Sequence, residues 1–300
     1  MPRPDSVNNA QIIRTATAAS KMPILQDSRA AEFTRVLHHE VGHWLIGKWV
    51  GFHPADVQIK LVREGNPGYQ LYAHDGAGHW VAWGACTTWL YRKVSSLNDQ
   101  IRYLANREAL LLAGAVYENV HLNDVAEPGQ KKDLSSDAVW RLCQGNATGS
   151  QDFKPYREIA TLHVNLSIHE DETSAGGLQN ALEANEVDDP FGEAIRCGFH
   201  DIVRLLVDHR RRTEVAAFVR DADEHAHVAW QEAVDPNNFV LEGTVLETLY
   251  AKHNLAELAH GDETFHRTAP SIAAVNKLRS VLSGSHEELL RRPGLVGETR

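Results

Sequence analysis

Five consecutive residues, His39-Glu40-Val41-Gly42-His43, constrain this chain more than any other stretch. Side chains four apart lie one above the other on a helix face. His39 and His43 can therefore present imidazole nitrogens to one metal ion, with Glu40 one position round, beside the open coordination site. That arrangement suits Zn2+, which in hydrolytic sites takes three protein ligands and a water, and acidifies the water toward neutrality. Glu40 is then the candidate general base, taking the proton and handing it to the leaving amine. Shuffling this composition would produce the pattern with a probability of roughly 7%, and a plain core helix could carry the same five letters, so context decides. His169-Glu170 and His286-Glu287 repeat the dipeptide, but Thr173 and Leu290 stand where the second histidine is needed. Around the one complete copy, Phe33, Val36, Leu37, Val41, Trp44, Leu45 and Val50 recur mostly three and four apart, which predicts a buried amphipathic helix.

The bulk figures narrow the setting. With 300 residues, 43% of them apolar, the chain can bury a sizeable core as one large domain or two. A formal charge of −10 argues against nucleic acid or an anionic membrane as partner. Cys86, Cys143 and Cys197 are too scattered for a ligand pair and too few for a disulfide framework, which fits a reducing compartment. The longest apolar run, Ala109 to Tyr117, falls well short of a bilayer crossing, and the polar N-terminus offers no apolar signal core. The expected location is the cytoplasm.

In chain order, residues 1–28 read as a weakly ordered lead-in. The motif helix should begin near Asp27-Ser28 and stop near Gly51, with His53-Pro54 forbidding continuation. Val57 to Val62 alternates with period two, and Gly68 to Ala73 is rich in strand formers, so the two predict a hairpin around Gly65-Asn66-Pro67. His74 to Gly84 reads as a loop carrying two spare histidines, His74 and His79. Helical periodicity is expected over Thr87–Val94 and Leu97–Leu122, with a further helix from near Asp133 to Cys143. Gly145 to Pro155 reads as loop, residues 156–170 as helix or strand, and Glu170 to Asp189 as an acidic connector. Phe191 to Arg220 predicts one long helix with Arg210-Arg211-Arg212 as a solvated patch. Helices follow at about 222–234 and 242–259, and beyond Gly261 a tail with a helix at Ile272–Leu282.

A catalytic zinc needs a third protein ligand, and spacing discriminates among peptidase classes. Ile46 and Trp49 occupy the glycine and histidine positions of the extended metzincin pattern, which excludes that class. A glutamate on a later helix, Glu108 or Glu118, and a distant aspartate both remain open. The chain resembles the FtsH-type zinc peptidases in five ordered blocks spanning about residues 30 to 260. These are His39 to His43; Val57-Gln58-Ile59 through Gly68-Tyr69; Leu112-Ala113-Gly114-Ala115-Val116-Tyr117-Glu118; Gly129-Gln130-Lys131-Lys132-Asp133-Leu134; and Leu205 to Arg212. Pro128, Gln130, Ala115 and Ala113 depart from the family's residues.

The resemblance implies a mainly α fold with a small β-hairpin or sheet, an FtsH-like zincin domain over residues 29–260. Its catalytic part would lie in about 29–145 and its helical part in about 190–260, ahead of a tail over 261–300. It implies that His39, His43 and Asp133 bind Zn2+, with Glu40 as the base; Glu118 then reads as an acid near a histidine or a packing-helix residue, with an ordinary helix-surface glutamate as the equal alternative. The chain carries no recognisable ATPase module or membrane helices, so the expected activity is ATP-independent hydrolysis of peptide bonds in flexible or unfolded protein segments. The residues around Gly68 to Ala73 are expected to pair with the extended peptide substrate. Family members form six-fold rings, which leaves a homo-oligomer open. Two other readings stand: a peptidase of another class with a glutamate third ligand that cuts a regulatory partner, and a catalytically silent, zinc-stabilised helical binding module.

Overall fold

The computed structural model describes residues 28–63, 80–91, 93–131, 134–144, 150–169 and 190–261. Within them helices predominate around one three-stranded antiparallel sheet. In chain order the elements are α1 (Ser28–Trp49), β1 (His53–Arg63), β2 (Trp80–Trp89), α2 (Leu97–Val125), α3 (Ser136–Gln144), α4 (Ser150–His169), α5 (Pro190–Arg210), α6 (Thr213–Gln231), β3 (Asn238–Leu241), α7 (Gly243–Lys252) and α8 (Leu255–Gly261). No helix among the described residues is long and apolar enough to cross a membrane.

The motif helix α1 is the centre of the molecule. Phe33, Leu37, Val41, Trp44, Leu45, Ile46 and Trp49 are all buried, so apolar residues cover most of its circumference, as expected of a helix enclosed by other elements. The sheet lies on one side, α2 on another and α6 on a third. The helix stops as its sequence predicts. Gly51 adopts φ 86°, its amide donates to Lys48 O (3.2 Å), and the Phe52 amide donates to Gly47 O (2.8 Å), a Schellman ending that only glycine adopts without strain. Asn106 Nδ2 donates to the carbonyl of Val50 (3.1 Å), which satisfies a further terminal acceptor. Across the α1–α2 contact, a Cβ on Gly42 would come within 2.8 Å of Ala113 O and of the Tyr117 side chain. The small residues at 42, 113 and 114 thus set how closely the two helices approach.

The sheet order is β2-β1-β3. β1 buries Val57, Ile59 and Leu61 and exposes Gln58 and Lys60, the predicted alternation. Its hairpin partner, however, is Trp80–Trp89, with Ile59 opposite Gly84 and Leu61 opposite Ala82. Residues 68–73, expected in that role, lie outside the described residues. Trp80–Trp89 is a strand where a loop and the start of a helix were expected. The cause is visible at Ala82, Gly84 and Cys86, which alternate toward α1: these positions are small because α1 passes close to them, so the apolar alternation that marks a strand is missing.

Three further expectations change. α4 begins at Ser150, so much of the stretch read as loop up to Pro155 is helical, with Pro155 inside the helix. The predicted helix over 191–220 is two, because Arg212 takes an extended conformation (φ −60°, ψ 140°) ahead of α6. The apolar stripe continues through Leu206, Val215 and Phe218, all buried, which is why periodicity alone misses the break. Nor is the arginine run a solvated patch. Arg210 is buried with its guanidinium 5.7 Å from the Tyr117 ring, and Arg212 lies 5.9 Å over Trp49, leaving Arg211 exposed. The short β3 was not expected at all; it pairs Val57 to Lys60 with Asn238 to Leu241.

Candidate metal centre

α1 delivers both histidines to one point. His43 Nε2 lies 3.1 Å from His39 Nε2, and the Oδ2 of Asp152, in the first turn of α4, lies 3.1 Å from His39 Nε2 and 3.3 Å from His43 Nε2. Three ligand atoms each about 2.0–2.1 Å from a tetrahedral zinc would stand roughly 3.3–3.4 Å apart. The triangle therefore has the dimensions of one face of a zinc site. Among the described residues it is the one group of histidine, cysteine or carboxylate side chains that could hold a metal ion. His39 is buried, whereas His43 and Asp152 are half-buried, so the cluster is reachable from solvent.

Each imidazole is held from behind. His39 Nδ1 meets Glu118 Oε2 at 3.0 Å, and His43 Nδ1 meets the carbonyl of Leu110 at 2.7 Å. In both rings the acceptor holds a proton on Nδ1 and turns Nε2 toward the cluster, the usual arrangement behind a metal-binding histidine. Space for an ion is kept by Gly114, where a Cβ would fall on the Nε2 atoms of both histidines. The donor set, its spacing and this cradle all fit Zn2+. His38, beside the motif, faces elsewhere: it stacks on His121 with ring centroids 3.8 Å apart, and burial lowers its pKa.

Glu40 is buried against β2, so closely that a Cβ on Gly84 would fall on its carboxyl group. The Cys86 amide donates to it. Burial raises the Glu40 pKa above the usual carboxylate value, opposed by the charges of His43 and His39 and assisted by Asp152. A carboxylate shifted upward is a better proton acceptor than an ordinary one.

Without a metal the cluster is held by protons. Burial alone would lower His39, but hydrogen bonds to Asp152 and Glu118 and the charge of Glu40 outweigh it and raise its pKa to about 10. His43 is raised as well, Asp152 overcoming burial. Burial would push Asp152 up, yet the two imidazoles hold it far below the ordinary carboxylate range. A raised histidine stabilises the fold fully below its unfolded pKa of 6.5 and loses that contribution as pH rises through about 10. A zinc ion bound by these three side chains would have to displace those protons. Titrating zinc into chelator-stripped protein at pH 7.5 in weak buffer is therefore expected to release acid, and apparent affinity should climb as pH rises; uptake with no proton release would contradict a protonated His39.

The sequence-predicted residues divide as follows. His39, Glu40 and His43 are brought together as expected. Glu118 is bound to His39 on the nitrogen facing away from the cluster, and Glu108 is paired with His163 in the α2–α4 interface, both of them buried. Neither glutamate joins the triangle. Asp133, His74 and His79 lie outside the described residues. Asp152 was missed, because Pro155 and the neighbouring glycines read as loop. Phe153, Tyr156, Ala160 and His163, all buried at steps of three and four, were the signal that a helix begins before that proline. The two cysteines described, Cys86 and Cys143, are free thiols apart from the triangle, and burial pushes both up to about 12. No family model matches the chain, and neither does any curated protein or solved structure.

Proposed function

We propose that the chain is a zinc-dependent metalloendopeptidase, related in plan to the FtsH-type peptidases, that hydrolyses peptide bonds in flexible or unfolded protein segments without ATP. The observation that carries this reading is the triangle of His39 Nε2, His43 Nε2 and Asp152 Oδ2, 3.1–3.3 Å on a side, with the buried Glu40 on the same helix. His39, His43 and Asp152 would hold the zinc, leaving a coordination position for water. Bound there, the ion would polarise the scissile carbonyl and acidify the water. Glu40 accepts the water's proton and passes it to the leaving nitrogen. Its carboxylate is held for this by the Cys86 amide and by the close passage of Gly84.

The substrate's place follows from the sheet. Among the described residues β2 is an edge strand, in the order β2-β1-β3, and its midpoint at Gly84 touches Glu40. An extended peptide adding to that edge would run past the general base, its backbone amides and carbonyls pairing with β2. β2 thus takes the role first assigned to residues 68–73. Only a segment free to become extended can enter, which restricts cleavage to flexible or unfolded protein.

The test is metal content and cleavage measured together. Wild-type protein is expected to bind about one zinc per chain and to degrade an unfolded protein, with chelation stopping the reaction and zinc restoring it. Asp152→Asn should reduce zinc occupancy severely. Asp133→Asn, measured beside it, decides between the aspartate of the triangle and the one the family resemblance names: loss of zinc in Asp133→Asn with full occupancy in Asp152→Asn would overturn the ligand set. A zinc-loaded wild type with no proteolysis would favour the silent binding module.

A further inference from the structure

We infer that Arg35 is a positioning residue for the metal, acting on His39 through Glu118. The inference rests on the metal-site reading above and extends it outward by two side chains. Glu32, Arg35, His39 and His43 follow one another at steps of three, four and four, so α1 carries them along one face. The Arg35 guanidinium makes a fork to Glu32, with Nη2 donating to Oε2 at 2.7 Å and Nε to Oε1 at 3.2 Å. That fork leaves Nη1 to donate to Glu118 Oε1 at 2.8 Å, while the other oxygen of Glu118 accepts from His39 Nδ1 at 3.0 Å. The series runs without a gap from a half-exposed glutamate to the ring whose Nε2 faces Asp152 and His43.

Each member fixes the next. Glu118 is 8% exposed at its side chain, so a carboxylate oxygen there needs a donor. Without Arg35, Oε1 loses a charged donor at 2.8 Å, and the carboxylate is held less firmly in the orientation in which Oε2 meets His39 Nδ1. An imidazole released at Nδ1 can rotate and take the other tautomer, and its Nε2 is no longer aimed. His43 does not share this dependence, since its Nδ1 is held by the backbone carbonyl of Leu110. The effect of losing Arg35 should therefore be partial and should pass through Glu118 alone. Lysine could reach Glu118 as a point charge but lacks the planar fork that lets one side chain hold Glu32 and Glu118 together.

The experiment is a thermodynamic cycle on zinc affinity. Dissociation constants are measured on the full chain by competition with a chromophoric chelator, for wild type, Arg35→Met, Arg35→Lys, Glu118→Gln and the double variant Arg35→Met/Glu118→Gln. Arg35→Met is expected to weaken zinc binding by about 10–100-fold, the range for partners that orient a ligating histidine. Arg35→Lys should fall between it and wild type, and it still reports on the charge if the methionine variant does not fold. The double variant should bind within about twofold of Glu118→Gln, because independent sites would instead add. Wild-type affinity in Arg35→Met overturns the inference. So do effects that multiply in the double variant, since a merely structural arginine would cost as much with Glu118 altered as with it intact. A wild type that binds no zinc removes the metal-site reading itself, a failure distinct from either.

Discussion

Replacing Glu40 by glutamine is expected to leave zinc in place and to lower the rate of cleavage of an unfolded protein by about 10²–10⁴-fold. The two expectations separate because the proposed mechanism gives Glu40 the proton transfer, while the ligand triangle is made of His39, His43 and Asp152. Glutamine keeps the size of the side chain packed on Gly84 and can still accept from the Cys86 amide, so the local structure has little reason to change. What it loses is the ability to take a proton from water. The readout is metal content by elemental analysis beside fluorescence of a labelled unfolded substrate. Undiminished cleavage by a zinc-loaded Glu40→Gln protein would remove Glu40 from the mechanism; loss of zinc would place it among the ligands.

Gly114→Ala is expected to have the largest effect on the metal itself. Its Cβ would fall on the Nε2 atoms of His39 and His43, the two atoms that must converge on the ion. Either the imidazoles rotate away or α2 backs off from α1. The second route would open the packed contact of Gly42 with Ala113 and Tyr117 and forfeit its buried area, so the rings should give way. Overpacking of this kind costs about 1–3 kcal/mol, which a fold with so continuous a core can absorb. The variant should therefore remain helical by circular dichroism while its zinc content drops to near zero and cleavage stops with it. A folded Gly114→Ala protein that binds zinc like wild type would show that the ion does not sit between the two Nε2 atoms.

What could be read before any coordinates depended on whether a residue's signal was local. The motif helix, its ending at Gly51 and the buried face through Phe33, Leu37, Val41 and Trp44 were legible because caps and periodicity are properties of neighbouring residues. The place of Glu118 behind His39 was not legible: its sequence surroundings fit an acid near a histidine and an ordinary helix glutamate equally, since nothing local points to His39. Asp152 was not legible as a ligand: it lies 109 positions after His43, and its stretch resembles a loop until one sees Phe153 and Tyr156 packed inside. β2 failed as a strand for the opposite reason. Its inward positions are occupied by Ala82, Gly84 and Cys86 because Glu40 and α1 need the room, so the site itself erased the alternation that would have announced the strand.

The burial of α1 on nearly every side has a consequence for how such a chain can change over time. The residues that make the helix the centre of the core are interleaved, one or two positions apart, with those that carry the chemistry: Val41 between Glu40 and Gly42, Trp44 beside His43. For the proposed peptidase, substitution there would put folding and catalysis at risk together, and selection would have little room to act on either separately. Variation in what is cut and how fast would instead enter from outside the helix. The openings are the half-exposed positions of β2 and the first turns of α4, where a changed side chain would meet the proposed substrate or tilt Asp152 without disturbing the core.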